Sequence, residues 1–115
     1  ASQQEAKMTL AVPVQHSRIP SHLILGQGST STVDLTLSGR RNTIRTLRDQ
    51  DVQVRVDVND ITSGRHLIKL SAKNIYLPFG VQIDQVAPQT IMVNLWPRSK
   101  DQNPDQQIPT KPGGF

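Results

Sequence analysis

Four arginines fall within nine residues: Arg40, Arg41, Arg45 and Arg48. A guanidinium is planar, permanently charged and fork-shaped, and it suits phosphates and carboxylates. On a short helix Arg41, Arg45 and Arg48 would share one side at i, i+4 and i+7. They are the candidate contact for lipid head groups or an acidic partner, tempered by Asp49 and Asp51. Other reactive residue types are scattered. His16, His22 and His66 show neither H-x-H nor H-x-x-x-H spacing, so no metal site is predicted. Asp34, Asp57 and Asp84 are expected on the solvent faces of strands, where no cleft would raise a carboxyl pKa for acid–base work. Serine and threonine are plentiful, but no G-x-S-x-G elbow stands among them. Gly26-Gln27-Gly28 lacks the third glycine and following helix of a dinucleotide loop and reads as a turn. The absence of cysteine removes disulfides, thiolate catalysis and cysteine zinc sites. No catalytic, cofactor or metal residue is predicted.

The elements that would carry these side chains are strands. Val52, Val54, Val56 and Val58 alternate with Gln53, Arg55 and Asp57, a period of two with one apolar face. Similar runs occur at Lys7–Gln15, Leu23–Leu25, Thr32–Leu37, Arg65–Ala72, Val81–Val86 and Thr90–Trp96. Pro13 has no N–H to donate, so its strand is expected at an edge, or with that position on an unpaired side. Only Ile44 and Leu47 show helical spacing, enough for one or two turns.

The chain has 115 residues, a single domain's length. Residues 1–6 are expected to be a flexible start and residues 98–115 a disordered tail or linker, rich in proline and nearly free of apolar side chains. No apolar run is long enough to span a membrane as a helix. The net charge of +4 is compatible with nucleic acid or an anionic surface. An aromatic content of 3% argues against single-strand binding, which needs stacking platforms.

The sequence also aligns with itself. A slide of 58 residues lays Ala11–Gly39 on Lys69–Pro97 without a gap, bringing Ile19-Pro20 onto Leu77-Pro78 and Val33, Leu35 and Leu37 onto Ile91, Val93 and Leu95. Two similar three-strand units are expected, joined by the short helix and the Val52–Val58 strand.

Taken in order, these motifs resemble a YbbR-like domain over about residues 8–97. Val12-Pro13-Val14 and Ile19-Pro20 open the pattern. Thr32 to Gly39 follows as a strand ending in glycine, and Asp51-Val52 and Val56-Asp57-Val58 come next. Gly64 to Ile68, Leu77-Pro78-Phe79-Gly80-Val81, Val86-Ala87-Pro88 and Ile91-Met92-Val93 complete it. Thr30-Ser31 stands where a proline is common, and Asp57-Val58-Asn59 replaces the more usual Asp-Leu-Ser.

The resemblance implies an all-β fold of two pseudo-symmetric units with exchanged strands, likened to the C-terminal domain of the ribosomal L25-type protein. It also implies a non-enzymatic interaction domain without cofactors, held outside the cytoplasmic membrane by a helix absent from this chain. Residues 1–6 would then follow that helix, and 7–97 would be one of the parent's repeats. The implied partners are neighbouring YbbR-like repeats and a membrane-bound diadenylate cyclase, the enzyme that makes cyclic di-AMP. An RNA-binding module is the alternative, suggested by the basic charge and the ribosomal likeness.

Overall fold

A computed structural model describes residues 4–98. Alternating apolar residues form eight strands: β1 Glu5–Ser17, β2 Leu23–Leu25, β3 Thr32–Arg40, β4 Gln53–Asp57, β5 Gly64–Lys69, β6 Ile75–Tyr76, β7 Val81–Ala87 and β8 Thr90–Pro97. The helix α1, Arg41–Arg45, follows β3 directly. The strands make a five-stranded sheet in the order β6-β4-β1-β3-β7 and a three-stranded sheet in the order β2-β8-β5. Inward valines, leucines and isoleucines fuse the two into one core, with Leu35, Leu37, Val54, Val58, Ile91, Val93 and Leu95 fully buried.

Each sheet borrows an edge strand from the other half of the chain. β7, from the second half, pairs with β3 through Val81↔Gly39, Gln82↔Ser38 and Ile83↔Leu37. β2, from the first half, pairs with β8 through Leu23↔Pro97, Ile24↔Trp96 and Leu25↔Leu95. Adding 58 to one member of each β2–β8 pair, and subtracting it from the other, reproduces these β7–β3 pairs. The two units are therefore related by a pseudo-twofold axis with exchanged strands. β4 stands between β1 on one side and β6 on the other, so it joins the halves by hydrogen bonds as well as by sequence.

The gap-free slide is off by two residues in one place. Gly64, Arg65 and His66 pair with Leu95, Asn94 and Val93, whereas Met8, Thr9 and Leu10 pair with Leu37, Thr36 and Leu35. Val12 thus corresponds to Ile68, and the second half carries two extra residues before β7, around a 3₁₀ turn at Ala72–Asn74. A slip of two keeps every side chain on its own face, so the apolar pattern is blind to it.

β1 is an interior strand. Its ladder with antiparallel β3 ends at Pro13↔Thr32, and its ladder with parallel β4 begins at Val14↔Val54. Pro13 occupies the changeover, where no β4 partner requires its missing N–H. Pairing also starts earlier than expected, at Glu5↔Arg40 and Ala6↔Gly39. Of the expected flexible start, residues 1–3 lie outside the described residues, as does the expected tail beyond Arg98.

One corner of the pseudo-symmetric pair is built in two ways. A bulge in the β3–β7 ladder leaves Asp84 without an opposite residue. Its carboxylate accepts a bond from the Ser38 hydroxyl at 3.0 Å and meets Lys7 at 3.4 Å. The equivalent residues in the other half are Gly26 and Trp96, and the indole there occupies the space of the absent β-carbon. Beyond Gly26 the chain keeps to β8 by using side chains. The Ser29 and Thr30 hydroxyls accept from the Asn94 and Met92 N–H groups at 3.0 and 2.9 Å.

Candidate functional site

Three chain segments reach the same end of the five-stranded sheet. Glu5 opens β1 opposite Arg40, the last residue of β3, and Val81 opens β7 opposite Gly39. α1 caps this end through Ile44, which is buried. The turn Pro78-Phe79-Gly80-Val81 lies against α1. It closes with the Val81 N–H donating to the Pro78 carbonyl at 3.3 Å, and Gly80 takes φ 87°. That is the type II geometry glycine favours at the third position. The Gly80 carbonyl packs so closely on Gly39 that a β-carbon there would come within 2.5 Å of it. Thr43 of α1 lies 3.7 Å from where a Gly80 β-carbon would stand. Phe79, at the tip, is wholly exposed.

The arginine cluster divides. Arg40, Arg41 and Arg45 are exposed at this sheet end. The Arg41 guanidinium donates to the Gln4 side chain, and the Arg41 backbone N–H donates to the Gln4 carbonyl at 2.8 Å, which fastens Gln4 there. Arg45 donates to Asn42 at 3.0 Å within the helix. The helix stops at Arg45, so the single face expected for Arg41, Arg45 and Arg48 does not form. Arg48 precedes a 3₁₀ turn at Asp49–Asp51, where its N–H donates to the Asp51 carboxylate at 2.9 Å. An open hollow of about 300 Å³ lies between Arg40 and the Phe79 turn, lined also by Glu5 and Gln82.

The other singled-out residues stay apart. His16 sits in β1 opposite Val56, its Nε2 is buried without a partner, and burial lowers its pKa below the ordinary histidine value. His66 Nε2 lies 2.7 Å from the Thr62 carbonyl oxygen. Asp57 pairs with Arg18 at 2.5 Å, and that bond, followed by one from the Asn59 N–H, lowers its pKa. Among the described residues no three metal-ligating side chains gather. Gly26-Gln27-Gly28 forms part of the segment bound to β8, with Asn94 Nδ2 donating to the Gln27 carbonyl at 2.7 Å.

Sequence reasoning passed over two features. Phe79 was legible as a large apolar residue in a Pro-x-Gly turn. The second feature is the free edge of β7, which lies beside an open groove of about 340 Å³ containing Leu70, Ile75, Ile83 and Val86. No side-chain spacing announces a groove between strands distant in sequence.

Residues 12–95 match the sequence profile of the YbbR-like protein family. The chain belongs to the YbbR-like family. The fold agrees with solved members. The YbbR-like domain of a Listeria monocytogenes protein superposes with a TM-score of 0.67 at 24% identity, over 84% of this chain and 99% of that one. A YbbR family protein from Desulfitobacterium hafniense gives 0.63 at 13% identity, over 79% and 98%. A YbbR-like protein from Streptococcus pneumoniae gives 0.62 at 21% identity, over 83% of this chain and 48% of that one. No curated protein matches the chain at the sequence level. The expected all-β YbbR-like fold is thus the observed one, while RNA binding finds no support in these relatives.

Proposed function

We propose that this YbbR-like domain is a non-enzymatic protein-interaction module of a membrane-anchored parent protein. It is displayed on the extracytoplasmic side of the membrane and regulates a membrane-bound diadenylate cyclase. The family match over residues 12–95 carries the reading. It is supported by the free edge of β7 and the adjoining groove, lined by both apolar and polar side chains, which suit addition of a strand from the cyclase or from a neighbouring YbbR-like repeat. No helix of the described residues is long and apolar enough to cross a membrane.

The test is a pull-down of the diadenylate cyclase from the same organism, together with cyclic di-AMP measured after deletion of the parent gene. Co-purification and a changed nucleotide level are expected. If the two proteins do not associate and the level holds steady, the regulatory reading is lost while the family membership stands. An apolar segment of about 20 residues encoded upstream of Ala1 is the expected anchor.

A further inference from the structure

We infer that the sheet end carrying Phe79, Arg40, Arg41 and Arg45 is a surface that docks on an anionic lipid bilayer. Two independent features converge there. The first is an apolar ring with no intramolecular role: Phe79 is wholly exposed at the tip of a turn held rigid by Pro78, by Gly80 at φ 87° and by the packing of Gly80 on Gly39. An aromatic ring kept permanently in water is a cost that insertion at a membrane interface removes. The second is the run of exposed arginines at the same end, whose forks match lipid phosphates. The open hollow of about 300 Å³ between Arg40 and the Phe79 turn has room for a phosphate head group beside the inserted ring. Arg40 and Glu5 both line that hollow, so the excess positive charge at this end is carried by the exposed Arg41 and Arg45.

The geometry favours a bilayer over an acidic protein. A stable protein interface buries roughly 800 Å² on each side around a packed apolar centre. At this end one ring stands out among cations, with no apolar neighbour in the lining of the hollow. One shallowly inserted side chain at a sheet end that also carries exposed arginines is the arrangement expected of a peripheral lipid contact. Gln4 is fastened to the same end. The inference rests on these residues and does not depend on the cyclase reading.

The experiment is co-sedimentation of the full chain with vesicles of mixed phosphatidylglycerol and phosphatidylcholine, compared with phosphatidylcholine alone. Binding is expected to the anionic vesicles only, and to weaken as salt is raised. Arg40→Gln with Arg45→Gln should weaken it at least about tenfold, at the usual worth of an arginine near an anionic surface. Phe79→Ser should weaken it several-fold, and neither change touches the core. Leu67→Ser, on the exposed face of β5, should leave binding unchanged. Soluble glycerol phosphate should not displace the vesicles, because the ring needs an acyl boundary. Absence of anionic binding, or binding indifferent to Phe79→Ser, would overturn the inference. Equal binding to polyglutamate would do so too, and would assign the arginines to an acidic protein.

Discussion

The indole of Trp96 occupies the space in which a β-carbon on Gly26 would stand. Gly26→Ala therefore has to push the ring outward. Trp96 is already partly exposed and can swing toward water, so the expected cost is modest, about 1–2 kcal/mol. As Trp96 is the chain's single tryptophan, its emission should shift to the red. An unshifted spectrum with unchanged stability would mean that the ring does not rest on Gly26.

Gly39 is the stricter case. Its missing β-carbon would meet the Gly80 carbonyl oxygen at 2.5 Å, and a backbone atom within a hydrogen-bonded turn cannot swing aside. Gly39→Ala should cost about 2–4 kcal/mol, more than Gly26→Ala, because it prises β3 from the turn that opens β7. Urea midpoints of the two variants, measured side by side, decide the order.

Val54→Asp or Val56→Asp should unfold the domain. Both valines are buried in β4, at 0% and 2% exposure, and a carboxylate there would have no partner. The expected loss exceeds about 4 kcal/mol, a large share of a typical domain's total. Circular dichroism and the width of the amide proton spectrum report the outcome. A folded variant of near-native stability would remove β4 from its place as the joint between the halves.

Burial lowers the pKa of His16, so the unfolded chain takes up a proton more readily than the folded one. Stability from this group is fully present above about pH 6.5 and declines as the pH falls below that, toward the folded value. His16→Leu should flatten the fall in urea midpoint between about pH 7 and 5. Asp57, also lowered, belongs to a separate limb. Its contribution is present above the ordinary carboxylate range and is lost as the pH drops through its folded pKa. A His16→Leu profile identical to that of the unaltered protein would place the acid sensitivity elsewhere.

The strands were legible because alternation is written residue by residue, as in Val52 to Val58 or Val33 to Leu37. The internal repeat was legible through the matched prolines Pro20 and Pro78 together with the apolar phase, whereas the exchange of strands between halves came only from the family resemblance. The two-residue slip between β1 and β5 was not, since a shift of two changes no side chain's face. The helix end at Arg45 was missed because arginine is a good helix former and Thr46 is only mildly unfavourable. Ile44 is buried and Leu47, just past the helix end, packs against the core, contacts that spacing alone does not locate. The juxtaposition of Phe79 with Arg40 was hidden because it depends on β7 pairing with β3, a contact spanning some forty positions.

The crossing of β2 and β7 also has a mechanical meaning. Each half lends an internal strand that completes the other's sheet, so the domain is fastened like a clasp. Drawing the halves apart requires stripping a ladder from both sheets before either is free. A polypeptide of half the length with this strand order would have met the same need by embracing a second copy of itself. The present chain is the form such an embrace takes once both copies share one backbone.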